Sequence, residues 1–302
     1  MNLLPFLCAL ALSPLLAGLV GRVKAWFAGR RGPSWLQAYR DLSKLFAKGA
    51  VLGETGTPAL RAAPLVVFGS TCLALLPLPG CSGAAALSFG GDMLALAGLL
   101  ALGRFALVLG ALDTGSSFEG MGAAREAFFG ALAEPAFFLF LLALSRLGGS
   151  ASLAPVLARL QGGGWMADGA ALLLLSAGLF VLLLTENARL PVDDPATHLE
   201  LTMVHEVMVL DSSGPDLGLL EYASALKLWI YCSLLASLLC PLRPSGAWAG
   251  QALTLAGVAL LGLALGLVES LSARLRLNRV ALFVSSSFIL MLLALARLAG
   301  GF

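Results

Sequence analysis

Carboxylates and histidines crowd one short part of this chain. Residues 186 to 221 contain Glu186, Asp193, Asp194, Glu200, Glu206, Asp211, Asp216 and Glu221, eight of the seventeen acids. Both histidines, His198 and His205, lie there too, and the only base is Arg189. Closely spaced carboxylates raise one another's pKa and hold protons that can be shared, while histidine titrates near neutrality. Such a series suits proton or ion transfer. It does not suit a metal site, because HEVMV lacks the second histidine of HExxH and His198 with Glu200 offers too few close ligands. No GxGxxG or Walker loop occurs, and no serine, histidine and acid constellation supports hydrolysis.

Two further charges lie where a bilayer should exclude them. Glu134 sits in AFFGALAEPAFFLFLLAL, where a carboxylate costs several kcal/mol unless protonated, paired or hydrated. Pro135 removes a helix hydrogen bond beside it. Arg104, inside another apolar run, calls for an acidic partner on a neighbouring helix. Asp113, Glu119, Arg125 and Glu126 cluster in the loop DTGSSFEGMGAARE, whereas Lys227 and Glu269 read as interfacial.

The elements that must position these groups are apolar helices. Hydrophobic residues make up 59% of 302 positions and charged residues only 12%, against about a quarter in soluble domains, and mean hydropathy is +0.92. The chain reads as all-α and as one integral membrane domain over 1–302. The net charge of +2 forms no nucleic-acid patch. The five cysteines show no CxxC pairing, so no metal or cluster is expected in this chain. A span needs about 20 apolar residues, and about eight segments qualify: 2–21, 61–79, 92–112, 127–146, 167–185, 222–241, 248–268 and 279–298. The first has no charged leader and reads as a retained helix rather than a signal peptide.

Alternate loops then hold fourteen basic residues on one side and four on the other. The positive-inside rule makes the richer side cytoplasmic, with both termini outside. Two cytoplasmic loops are long. In 22–60, SWLQAYRDLSKLFAKG has Trp35, Leu36, Tyr39, Leu42, Leu45 and Phe46 at helical spacing, which predicts an amphipathic surface helix. The other, 186–221, is the acidic segment. Glu186 and Arg189 share a face if the helix continues, but Pro191 and Pro195 break it. Thr197 with Glu200 forms a capping box for a second helix, HLELTMVHEVMVL, ending at Gly214 and Pro215. No internal repeat is evident, which weighs against a transporter built from two related halves.

ENARLPVD from Glu186 to Asp193, followed by Glu200-Leu201 and a later acid-x-Ser-Gly, resembles the acidic loop of subunit 1 of respiratory complex I. RRGPS, QAYRDLSKLF, LDTGSSF, GMGAAREA, Glu134-Pro135 and SARLRLNR resemble its hydrogenase branch, the membrane subunits of formate hydrogenlyase, hydrogenase-4 and related group 4 nickel-iron hydrogenases. The likeness covers nearly the whole chain. It implies a non-redox subunit in the inner membrane of a prokaryote. Hydrogenase large and small subunits and an iron-sulfur subunit would carry the nickel-iron centre and iron-sulfur clusters. Antiporter-like membrane subunits would move ions.

The resemblance carries Glu186, Arg189, Asp193 and Glu200 onto the family's acidic loop and Glu134 onto its intramembrane glutamate. The chain departs from the pattern at Ala196 and His198 and ends the loop with Asp211-Ser212-Ser213-Gly214. The expected path runs through Glu134, Glu186, Asp193, Glu200, Glu206 and Asp211, with His198 and His205. Arg189 and Arg125 are expected to hold the carboxylates charged, with Glu119, Glu126 and Arg104 as further charge partners. Arg30, Arg31, Arg40, Asp41 and Lys44 are the expected docking residues for the peripheral arm. The competing expectations are a quinone-binding subunit of an NADH:quinone oxidoreductase and a stand-alone ion transporter.

Overall fold

A computed structural model describes residues 3–51, 56–81, 83–193, 203–242, 244 and 246–300. Among them every regular element is helical. In chain order they are α1 (Leu4–Phe27), α2 (Gln37–Ala47), α3 (Pro58–Ala74), α4 (Asp92–Asp113), α5 (Ser117–Gly148) and α6 (Leu153–Arg159). A π-helical stretch (Leu160–Gly164), α7 (Trp165–Glu186), a 3₁₀ turn (Glu206–Val209), α8 (Pro215–Leu239), α9 (Ala247–Leu271) and α10 (Leu277–Gly300) follow.

Seven of these helices, α1, α4, α5, α7, α8, α9 and α10, are long and apolar enough to cross a membrane. The chain is a polytopic membrane protein. The expected span at 61–79 is instead a 17-residue helix, α3, because prolines 77 and 79 lack the N–H that a continuing helix needs. The expected loop at GMGAAREA is helix: α5 starts at Ser117 and runs 32 residues through Pro135. GMGAAREA holds no proline, and its charges find partners inside the bundle, Glu126 with Arg104 and Arg125 with the Met203 carbonyl. The amphipathic α2 forms as the spacing predicts, and Trp35 beside it stacks under the Arg22 guanidinium at 4.5 Å.

α8 is the hub, packed against α1, α2, α3, α7 and α9. Every residue from Leu228 to Leu238 is buried, as expected for a helix apolar all round. α3 lies along α4, α1 along α9, and α10 lies against both α7 and α5. Gly262 and Gly266, one turn apart on α9, bring that helix close to α1: a Cβ at either would stand 2.7 or 2.6 Å from Leu16 or Val23. Pro14 leaves the Leu10 carbonyl without its helical donor. The Tyr222 hydroxyl donates to it at 2.7 Å, and Tyr39 of α2 donates to the next carbonyl, Ala11. Burial pushes the Tyr39 phenol up and keeps that proton in place.

One end of the bundle gathers the C-termini of α1, α4, α7 and α9 and the N-termini of α3, α5, α8 and α10. Asp113 ties two of them by accepting from the Thr57 amide at 2.8 Å and the Leu60 amide at 3.1 Å. Both long loops start at this end, and they touch. The Val51 amide donates to Ser213 Oγ at 2.8 Å, and that hydroxyl donates to the Val51 carbonyl at 2.8 Å.

Candidate functional site

Arg104 lies near the middle of α4, nine residues before that helix ends at Asp113, a depth of about 13 Å at 1.5 Å per residue. Glu186, the last residue of α7, reaches the same depth and accepts from Arg104 Nη2. α7 therefore stops short of the end of its neighbour, and the segment after it descends into the bundle. The chain turns there at Ala188, whose φ of 46° is in the left-handed region, a strain of order 1–3 kcal/mol that the surrounding contacts must offset. The break expected from Pro191 is real, and its result is a buried loop.

Arg104 is shared. Its Nη1 donates to Glu134 Oε1 at 3.0 Å and its Nε lies 3.3 Å from Glu126 Oε1, so one guanidinium meets three carboxylates. The planar fork of arginine permits this where a point charge would not. Gly130, one turn from Glu126 and Glu134 on α5, leaves room for it: a Cβ there would stand 2.6 Å from Arg104 Nη1. Lys227 Nζ approaches Glu186 Oε2 at 2.9 Å, and His205 Nδ1 lies 3.4 Å from Glu126 Oε2. Arg104 and Glu186 side chains are about 10% and 5% exposed, whereas Glu134 is 42% exposed. Desolvated charges of this kind persist only when paired on several sides.

Two crevices meet at the Arg104 and Glu186 pair. One is also lined by Glu126, Ala188, Asp193 and Val204 and faces the loop. The other is lined by Glu134, Phe138 and Tyr231, beside α5. The ion pair thus stands between a loop-side space and a side space next to Glu134, the most exposed of the three carboxylates around Arg104.

Of the residues expected from sequence, Glu134, Glu186, Glu126, Arg104 and His205 come together here, and Asp193 borders the first crevice. Asp193 is itself held at 2.7 Å from Arg274 and accepts the Val204 amide at 2.9 Å. Glu119 accepts the Asp211 amide at 2.9 Å on the loop's far side, and Glu206 opens the 3₁₀ turn. His198 and Glu200 lie outside the described residues. So does much of the expected helix HLELTMVHEVMVL, whose described part from 203 forms only the 3₁₀ turn.

Arg189 pairs with the Glu269 carboxylate of α9 at 3.4 Å, and Arg125 donates to the Met203 carbonyl at 2.8 Å. Lys227 and Glu269, expected at the interface, are internal: Glu269 is 3% exposed and also meets Lys24 at 2.9 Å. Lys227 shows a signal in retrospect, since an apolar run follows it directly and a lone cation there needs a partner. Of the docking set, Arg30, Arg31, Arg40 and Lys44 are exposed, and Asp41 accepts from Gln37 at 2.9 Å within α2. Among the described residues, no three His, Cys, Asp or Glu side chains converge as metal ligands.

Fold and site together define a polytopic membrane protein with a branched ion network sunk into its helix bundle. The profile of the NADH dehydrogenase family matches residues 1–299. Hydrogenase-4 component C of Escherichia coli (strain K12) is 34% identical over 232 residues, 77% of this chain and 72% of that protein. Formate hydrogenlyase subunit 4 of the same organism is 30% identical over 282 residues, 91% of each chain. In the solved structure of the membrane-bound sulfane sulfur reductase, an archaeal respiratory membrane complex, one chain shares this fold. The TM-score is 0.85 over 98% of this chain and 97% of that one, at 20% identity. The chain belongs to the NADH dehydrogenase family, as a membrane subunit of the kind found in hydrogenase and complex I-like respiratory complexes.

Proposed function

We propose that this subunit anchors a peripheral hydrogenase arm and couples its electron transfer to ion movement in neighbouring membrane subunits. The observation that carries the reading is the sharing of Arg104 by Glu126, Glu134 and Glu186 between two crevices. A cation with three carboxylate neighbours can strengthen its hold on one as another takes a proton, so protonation at one branch biases the others. His205 and Asp193 stand at the loop entrance, and Glu134, the most exposed of the three carboxylates around Arg104, is the exit toward an antiporter-like neighbour. The loop end faces the cytoplasm, and the basic residues of 22–60 receive the arm. Its hydrogenase large and small subunits and iron-sulfur subunit carry the nickel-iron centre and iron-sulfur clusters.

The test uses the whole complex purified through a tag on this chain and reconstituted in liposomes. Glu134→Gln and Glu186→Gln should keep hydrogen evolution from a reduced viologen while ion movement per hydrogen falls several-fold. Unchanged movement per hydrogen in both variants would sink the relay. Co-purification of a quinone-reducing assembly without nickel would replace the hydrogenase reading with a quinone-linked one, and a solitary ion-moving chain would replace both.

A further inference from the structure

A second buried junction of charges centres on Glu269, in the last turn of α9. Its side chain is wholly buried, with Lys24 Nζ of α1 at 2.9 Å from Oε2 and Arg189 Nη1 of the acidic loop at 3.4 Å from Oε1. Each oxygen thus faces a cation from a different segment. On the α1 side, the chain folds back over the turn that carries Lys24. The Arg30 amide donates to the Ala25 carbonyl at 2.9 Å, and a Cβ on Gly32 would stand 2.8 Å from Arg22 Cγ. Since Arg22 also stacks on Trp35, the segment from Arg30 to Trp35 is clamped to the end of α1. On the loop side, Arg189 comes three residues after Glu186, and the next residues follow the connection from α9 to α10. The Leu275 amide donates to the Pro191 carbonyl at 2.9 Å, and Arg274 holds Asp193 at 2.7 Å.

We propose that Glu269 is a positioning residue for the Arg104 network, tying the acidic loop to the end of α1. A shift of the basic segment at Arg30 and Arg31 then reaches Glu186 through Lys24, Glu269 and Arg189. The inference deepens the coupling reading and rests on it for what the position of the loop controls. A buried carboxylate that loses one of two cations keeps uncompensated charge, so moving Lys24 changes the hold of Glu269 on Arg189. Glu186 follows, because α7 ends there and only Asn187 and Ala188 separate it from Arg189. Docking of the arm on the two exposed arginines bears on the first link of this series.

The test is peptide-resolved hydrogen exchange of the whole complex, purified through a tag on this chain, with ion movement per hydrogen evolved measured in liposomes. Lys24→Met removes one cation and should quicken exchange several-fold in peptides holding Val192, Asp193 and Leu275, on the far side of the junction. Lys24→Arg restores the cation and should return exchange to the wild-type rate. Arg189→Met should quicken it as well, and adding Lys24→Met should then change little, because both act through Glu269. Ion movement per hydrogen should fall several-fold in Lys24→Met and recover in Lys24→Arg. Wild-type exchange at these peptides in Lys24→Met, or full additivity with Arg189→Met, would overturn the link. Faster exchange with unchanged ion movement would overturn the positioning role. Failure of the Glu134→Gln and Glu186→Gln test, by contrast, removes the coupling reading and leaves the link at Glu269 decided by exchange alone.

Discussion

Lys227 Nζ lies 2.9 Å from Glu186 Oε2, deep in the contact between α8 and α7, while Arg104 of α4 holds the other oxygen of the same carboxylate. An anion fixed between two cations from different helices ties three helices together, α4, α7 and α8. Lys227→Met keeps the stem and removes the charge, leaving Glu186 with Arg104 alone. The full loss of a buried partner costs about 3–5 kcal/mol. With one cation retained, the expected loss is nearer the cost of one unsatisfied group, about 1–3 kcal/mol. Thermal unfolding of the detergent-purified complex reads this directly, and a midpoint equal to wild type would show that the pair contributes nothing to the fold.

Gly130→Ala tests the network without touching a charge. The new methyl would stand 2.6 Å from Arg104 Nη1 and 3.0 Å from its Cδ, and the side chain, held between α4 and α5, has to shift. Displacing the fork lengthens its bonds to Glu126 and Glu134 together. Ion movement per hydrogen evolved should fall as in the glutamine variants, while the complex still assembles. Wild-type coupling in Gly130→Ala would mean that the Arg104 geometry is incidental to transfer.

Much of the fold is legible in the sequence because length and apolarity suffice to mark a spanning helix, and because prolines after Leu76 and Leu190 mark where helices stop. The charges at 104 and 134 are legible because the bilayer has no use for an unpaired ion. Their pairing is not, since Arg104 finds Glu134 and Glu186 at separations of 30 and 82 positions, which depend on how helices pack. The same limit hides Lys227 and Glu269: Glu269 lies near the end of α9, where charges are ordinary, and Lys227 stands near the start of the expected span at 222–241 but in the middle of α8. Only the early stop of α7 brings Lys227 and Glu186 to one depth. The acidic segment reads as a solvated loop by composition, yet its described part is largely internal, with Asp193, Met203, Val204, Val207 and Met208 all buried.

Asp193 and Arg274 offer a charge-reversal test of the loop's attachment. Arg274 Nη2 is 2.7 Å from Asp193 Oδ1, and the other carboxylate oxygen accepts the Val204 amide at 2.9 Å. Asp193→Arg alone sets two cations together and removes the acceptor, so assembly and coupling should both fall. Adding Arg274→Asp restores opposite charges and should recover part of the loss. The remainder includes the bonds that Asp193 accepts from the Val204 and His205 amides, about 1 kcal/mol each. A double variant no better than Asp193→Arg, judged by complex yield and thermal midpoint, would show that the ion pair does not hold the loop.

Gly214→Ala addresses the contact between the two long loops. Gly214 has φ 56° and ψ −128°, a backbone region that is essentially reserved for glycine and costs a side-chain-bearing residue about 1–3 kcal/mol. Its Cβ would also stand 2.6 Å from the Gly49 carbonyl oxygen, so the backbone itself has to move. The neighbouring Ser213 bonds to Val51 should open, releasing the segment that follows α2. Hydrogen exchange at the Val51 amide is the direct readout, and it should quicken in Gly214→Ala. Ser213→Ala, which removes the bonds without strain, should quicken it with a smaller loss of stability, about 1 kcal/mol. If exchange at Val51 is unchanged in both variants, the loops are not joined through these residues, and the basic segment and the acidic loop move independently.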